Sequence, residues 1–590
     1  MSLPHQRTTA DAGAAASAQQ SLRAPGAQQL TPRIAWLVGL AAAAAIAGLY
    51  VYGARNYPLS EPDEVRYAEI PREMLELRDW VTPHLDYVKY FEKPPLVYWA
   101  TAVTFSWLGT GELAARLPSL LAGMATLALT VWLAANMYGA STAVLTLPIL
   151  ALGPLFAICA QTLTLDMTLT FFLTLAMAAV WFGWCRTAPG NRPSGAPSAP
   201  GDRPRAASAA RSWYLVVYLA AALAMSVKGP VAPILVGSVA LCFLLMHGGW
   251  PALRAALDWR GVAVALAVAL PWFVLVSWRN PEFAHFFIVE QHVARYLWTN
   301  EHTEPIWFFV ALLPLALAPW GLLLALDPTL LRGASTPKTW TPATRLLAIW
   351  AAVIVVFFSL STSKLLTYVL PAVPPLAVLA ARAIELGIER QRTAGLWRVG
   401  WLFLIGGPIV SLCGAVLPFV GADWRIPIMA PRLIAGGLVL MLTGALIGRL
   451  RPRLYAGFAA LVLGWLALLF VATTARGAVN DYSSLGLAAR AALAPGDRIA
   501  MYNHYTQGIP FYTERRTIMV GRVGELDFGK RHGGEDAYFW QLDDLRGEWA
   551  APGRLLLVIN ARELAAFTPP LDPRPIVLAS KDEKLLVVNR

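Results

Sequence analysis

The sequence predicts a polytopic α-helical membrane protein, with about thirteen transmembrane helices and a C-terminal soluble α/β domain. Three observations predict it. Of the 590 residues, 57% are hydrophobic and only 14% are charged, with a mean hydropathy of +0.52. A soluble chain could not hide that much apolar surface, so lipid is the solvent for most of it. Apolar runs of roughly 20 residues, the length needed to cross a hydrocarbon core about 30 Å thick, recur along the chain. After about residue 475 the texture changes to short apolar runs separated by polar, turn-rich stretches.

Residues 1–33 are rich in Ala, Gln and Ser and read as a disordered cytoplasmic N-terminus. A signal peptide would place its apolar region sooner and end it in a small-residue cleavage site, so Ile34–Gly53 is expected to remain as a span. Residues 34–474 form the transmembrane domain. The thirteen expected spans cover approximately 34–53, 114–136, 139–159, 163–185, 213–229, 231–248, 261–278, 306–327, 346–362, 365–383, 399–420, 432–448 and 455–474. Arginine sets their orientation. Arg33, the group Arg186–Arg211, Arg254 with Arg260, Arg332 with Arg345, Arg390 with Arg398, and Arg449 with Arg453 all occupy connections of one parity. With the N-terminus inside, each cluster falls on the cytoplasmic side, as the positive-inside rule requires. The net charge of +12 is therefore read as topology, and no nucleic-acid partner is expected. The Pro/Gly/Ser-rich piece Arg186–Ser212 is a flexible cytoplasmic linker. Cys159, Cys185, Cys242 and Cys413 lie in or beside apolar runs with neither metal-ligand spacing nor a disulfide framework.

Three segments then face outward: the loops 54–113 and 278–305, and residues 475–590, where runs such as Arg498–Tyr502, Thr517–Val520, Leu555–Ile559, Ile576–Leu578 and Leu585–Val588 predict a small α/β domain. The first loop is the most informative. Ser60 followed three residues on by Asp63, with Pro62 between, is a helix start, so Asp63 either completes a capping box or does chemistry. Arg66 and Tyr67 share its helical face, and Pro71 is expected to kink or reset that helix. Lys93, in Lys89-Tyr90-Phe91-Glu92-Lys93-Pro94-Pro95, stands at a helix entrance where an ammonium and free N–H groups suit a phosphate; the plainer reading is a lysine snorkelling to headgroups. Asp166, Lys228 and Lys364 are ionisable groups at the outer ends of spans, where such residues are costly and mark function or pair with one another. In the second loop, His292 and Arg295 lie three apart on one face and suit an anionic group. Glu92 with His292 leaves a divalent metal open; no cofactor is otherwise required.

The runs Glu61–Glu69 and Phe91–Leu96, Asp166 after its Thr-rich stretch, and Lys364-Leu365-Leu366-Thr367-Tyr368-Val369-Leu370-Pro371 resemble the bacterial aminoarabinose transferases of lipid A. These belong to the protein-mannosyltransferase-like group of glycosyltransferases with the GT-C fold, and the likeness spans the whole chain. It implies an undecaprenyl phosphate-linked sugar donor, a lipid A acceptor, transfer on the periplasmic face of the inner membrane, and polymyxin resistance. It implies Asp63 as the essential acid, with Asp166 and Lys228 beside it in the catalytic group. Lys93, Arg66 and Arg295 would bind the carrier phosphate, and Glu64, Tyr67, Tyr90, His292, Lys364 and Tyr368 would line the cavity. The enzyme is expected to act as a monomer among membrane lipids, inverting C1 by direct displacement. A related transferase for another sugar or acceptor, a lipid-linked sugar transporter and a scaffold are the rival readings. Transporters usually carry internal repeats, and none of the first loop recurs.

Overall fold

The computed structural model describes residues 32–187, 202–297, 302–331, 340–392, 394–420, 425–451, 453–476, 483–533 and 535–590. Residues 1–45 and 46–590 separate into two compact units. The first contributes the start of helix Pro32–Arg55, and the second holds every other element. Residues 1–31 of the expected disordered tail and residues 188–201 of the expected linker lie outside the described residues, and Pro32 and Arg33 already belong to the first helix.

Among the described residues, ten helices are long and apolar enough to cross a membrane, or up to twelve if two bent pairs each count as one span. The expected spans 139–159 and 306–327 are those pairs: Ala140–Ala151 with Pro154–Ala160, bent by 68°, and Phe308–Ala316 with Trp320–Leu326, bent by 111°. Pro154 and Pro319 stand at the starts of the second halves, where a residue without an N–H cannot continue the preceding ladder. The second half of the expected linker is helical, because helix Asp202–Lys228 opens on an Ala-rich stretch of good helix formers. The chain is a multi-pass membrane protein.

The first loop holds two short helices, Asp63–Leu77 and Leu96–Leu108, around a two-stranded hairpin, β1 (His84–Leu85) and β2 (Val88–Lys89). Pro71 sits inside the first helix without breaking it. The expected reset does not occur.

The C-terminal segment builds a six-stranded sheet from β3 (Arg498–Tyr502), β4 (Ile518–Val520), β5 (Phe539–Trp540), β6 (Leu555–Asn560), β7 (Ile576–Lys581) and β8 (Lys584–Val588), in the order β5-β4-β3-β6-β8-β7. β5, β4, β3 and β6 run parallel; β8 and β7 are antiparallel. Alternate residues serve two cores, as a period-two strand requires. Ala500, Leu555, Leu557 and Val587 pack with Trp549 and Phe567 on one face. Ile499, Met501, Leu556, Val558 and Leu586 on the other face pack on Ile70, Met74, Leu85, Val88 and Tyr98 of the first loop. The sheet therefore closes directly over the loop that carries Asp63.

Candidate active site

Helix Asp63–Leu77 is pinned at its first turn by a buried ion pair. The Arg116 guanidinium, fully buried in helix Glu112–Tyr138, donates to both Glu64 oxygens at 2.7 and 2.8 Å. Its remaining N–H groups reach the carbonyls of Ala54, Tyr57 and Pro58. Glu64 also accepts from the Leu163 and Ser60 N–H groups at 2.7 and 3.0 Å, and Arg476 approaches to 3.7 Å. Burial works against the charged carboxylate, but Arg116 outweighs it and holds Glu64 below its ordinary value. Four chain segments, those of Ser60–Glu64, Arg116, Leu163 and Arg476, meet at this carboxylate.

Asp63, one residue earlier, remains 63% exposed, 3.5 Å from Arg66. It does not close the expected capping box: the helix N-cap is Pro62, and it is Glu64 whose side chain reaches back to the Ser60 N–H. The Ser60–Asp63 spacing predicts the wrong acid because Arg116 already orients Glu64 toward that N–H.

A cavity of about 80 Å³, to which neither Asp63 nor the rest of its helix contributes a lining residue, has three cations on its wall, Lys93, Lys228 and Arg295. Gln291, His292, Tyr296, Ser361, Ser363 and Tyr368 complete its polar lining, and none of the described lining residues is a carboxylate. Lys228 ends its helix in an ion pair with Asp166 and sits 4.2 Å over the Tyr368 ring. Asp166 is thus the buried counter-charge behind the wall. The Lys93 ammonium lies 3.1 Å from the Glu92 carbonyl and 3.9 Å from its carboxylate. Burial, helped by Arg295, Lys228 and Arg66, lowers its pKa to about 8. Such a pocket attracts a compact anion.

The remaining predicted residues do not line this pocket. Arg66 is held by Glu525 of the C-terminal sheet domain at 2.6 Å as well as by Asp63, so two acids engage it. Tyr67 packs on Tyr98 with ring centroids 6.1 Å apart, and Tyr90 is buried beside them in the core beneath the sheet. Glu64 is a structural carboxylate and not part of the lining. Lys364 is buried, its ammonium donating to the Ser361 carbonyl at 2.6 Å. Sequence reasoning missed Arg116, Glu525, Gln291, Tyr296, Ser361 and Ser363. The one available signal was Ser361-Thr362-Ser363 immediately before Lys364.

The metal left open at Glu92 and His292 does not fit these residues. No group of three His, Cys, Asp or Glu side chains suited to a metal occurs among the described residues. His292 places Nδ1 2.6 Å from the Phe287 carbonyl and Nε2 3.4 Å from the Lys228 carbonyl. Lys93, Arg66 and Arg295 already neutralise Glu92: burial opposes its ionisation, yet these cations hold its pKa below the ordinary value.

The family profile for dolichyl-phosphate-mannose-protein mannosyltransferases matches residues 35–287, and that for the aminoarabinose transferase C-terminal domain matches residues 485–590. An undecaprenyl phosphate-alpha-4-amino-4-deoxy-L-arabinose arabinosyl transferase of Pseudomonas paraeruginosa is 31% identical over 430 residues, covering 71% of this chain and 72% of that protein. The chain belongs to the aminoarabinose transferase family. The corresponding transferase of an Enterobacter species is 28% identical over 69% of this chain and 70% of its own length. The crystal structure of ArnT from Cupriavidus metallidurans bound to undecaprenyl phosphate matches with a TM-score of 0.77 and 27% identity, over 94% of this chain and 98% of that one. An aminoarabinose transferase of this architecture is a GT-C membrane glycosyltransferase dependent on a polyprenyl phosphate.

Proposed function

We propose that the protein transfers 4-amino-4-deoxy-L-arabinose from undecaprenyl phosphate to a phosphate of lipid A. The reaction takes place at the periplasmic face of the inner membrane, within a single chain, and lowers the negative charge that polymyxins bind. The observation that carries this reading is the pocket in which Lys93, Lys228 and Arg295 converge with no carboxylate among the described lining residues. A lipid phosphate is the anion that such a pocket beside apolar helices suits; one relative is named for undecaprenyl phosphate and a similar solved structure is bound to it. The arginine clusters at the opposite ends of the helices favour the outward orientation.

In this reading the bond between C1 of the sugar and the phosphate oxygen breaks with its electron pair going to the phosphate. The three cations stabilise the charge that gathers there, each charged hydrogen bond contributing roughly 1.5–3 kcal/mol net. An oxygen of the acceptor phosphate attacks C1 from the opposite side, which inverts the centre. That oxygen is already anionic, so Asp63 is not needed as a general base. Its exposed carboxylate instead orients the acceptor or offsets positive charge building on the sugar ring.

The test is transfer by the purified protein from undecaprenyl phosphate-aminoarabinose to lipid A, read by mass spectrometry. A lipid A mass increased by one aminoarabinose is expected. Unmodified lipid A, with the sugar passed to a protein or polysaccharide instead, would overturn the acceptor.

A further inference from the structure

The pocket wall formed by Ser361–Lys364 carries a group that the three cations do not explain. Ser363 is 1% exposed, lines the cavity, and its hydroxyl has no hydrogen-bond partner among the described residues. Buried hydroxyls are seldom left unpaired, because the lost solvation is not recovered.

The backbone around it is held in place. The Thr362 N–H donates to the Tyr296 carbonyl at 3.0 Å and the Lys364 N–H to the His302 carbonyl at 2.9 Å. Thr303 and Ser363 form an antiparallel bridge. In such an extended stretch successive side chains point to opposite sides. The Thr362 hydroxyl accordingly turns away and donates to the Arg295 carbonyl at 3.2 Å, while Ser361 and Ser363 both line the pocket. On the far side, the Lys364 ammonium ties the Ser361 carbonyl at 2.6 Å. The hydroxyl is thus presented by a loop whose own hydrogen bonds leave it out.

We propose that Ser363 is a hydroxyl ligand of the donor phosphate, a directional fourth donor beside Lys93, Lys228 and Arg295. Ammonium groups act on a phosphate largely as point charges; a fixed hydroxyl adds a preferred direction for one oxygen. The proposal rests on the reading of this pocket as the carrier-phosphate site.

The test uses the full-length protein in phospholipid nanodiscs, with binding measured for undecaprenyl phosphate and for undecaprenol, the same chain without the phosphate. Ser363→Ala is expected to weaken undecaprenyl phosphate binding by about tenfold, the order expected for one hydrogen bond to a charged group. Undecaprenol binding and the melting temperature should stay unchanged, and Ser363→Thr, which keeps a hydroxyl, should retain most of the affinity. Wild-type affinity in Ser363→Ala, or equal losses for both ligands, would overturn the proposal and leave the hydroxyl to a trapped water or a packing role. A wild-type protein that does not prefer the phosphate over the alcohol would instead overturn the phosphate pocket itself.

Discussion

Asp63 keeps its carboxylate 63% exposed beside Arg66, whereas Glu64 is buried against Arg116, so substitutions at these neighbours should separate chemistry from stability. Asp63→Asn is expected to reduce transfer by about 100-fold or more, the size of a lost charged catalytic group, with the melting temperature and donor binding retained. Glu64→Gln leaves Arg116 buried without its counter-charge and should destabilise the protein by about 3–5 kcal/mol, seen in thermal unfolding. Equal losses of stability in the two variants would refute this division. The pair was legible in the sequence as an acidic motif, and the resemblance pointed to Asp63 as its essential member, but the burial of Glu64 was not legible: the capping spacing is a local rule, and it cannot see an arginine on another helix. Lys93 supplies the pH prediction. Its pKa of about 8 means that the free enzyme loses a pocket cation as pH rises through that value. The ratio kcat/KM should therefore fall above about pH 8, while kcat falls less, because bound phosphate restores the proton. A flat kcat/KM profile up to pH 9.5, roughly one and a half units above that pKa, would contradict it.

The hairpin β1–β2 is the element that joins the first loop to the sheet. Asp86 and Tyr87, with φ of 51° and 63°, make its turn, and positive φ at both centres matches the twist of a two-residue hairpin. The Asp86 carboxyl accepts from the Thr517 N–H at 2.9 Å and from its hydroxyl at 2.6 Å. Burial pushes its pKa up to about 7, the Thr517 bonds opposing and Glu69 adding to the shift. A raised folded-state value means that protonated Asp86 is the favoured form. Its stabilising contribution is full below the ordinary value of 3.8 and is lost as pH rises through about 7. The melting temperature is expected to decline over that window, and Asp86→Asn, which imitates the protonated acid, should flatten the decline. Identical slopes for both proteins would rule out Asp86 as the source. The sequence did not reveal this hairpin, since two-residue strands carry no periodicity; β5 was missed for the same reason. The longer strands β3, β6 and β8 were legible through their apolar runs. The membrane helices were legible because some twenty apolar residues leave few alternatives, though hydropathy alone did not register the bends at Pro154 and Pro319.

Across the whole molecule, the candidate site is assembled from segments far apart in sequence, and that assembly is what the sequence could not show. Periodicity reports that Ile70 and Met74 or Ile499 and Met501 are buried, but not that these two sets bury one another. Resemblance to a known family brought the candidate site residues together, but not these two cores. Gly529 tests the closure: a Cβ there would lie 2.6–2.7 Å from the Val88 side chain and the Lys89 carbonyl, inside contact distance of the β2 strand. Gly529→Val should loosen the sheet from the loop, lower the melting temperature and open the sheet domain to limited proteolysis. Wild-type resistance to protease would show that the contact yields without consequence.

Strand β8 lies between β6 and β7 although it follows both in sequence, and Asn589 just beyond it is buried. Translation therefore delivers the acidic loop first and the piece that locks its cover last. A nascent chain interrupted between Ala475 and Lys584 would carry every described membrane helix and both pocket lysines, yet lack a finished roof. Nonsense mutations between Ala475 and Lys584 should consequently be as damaging as early ones.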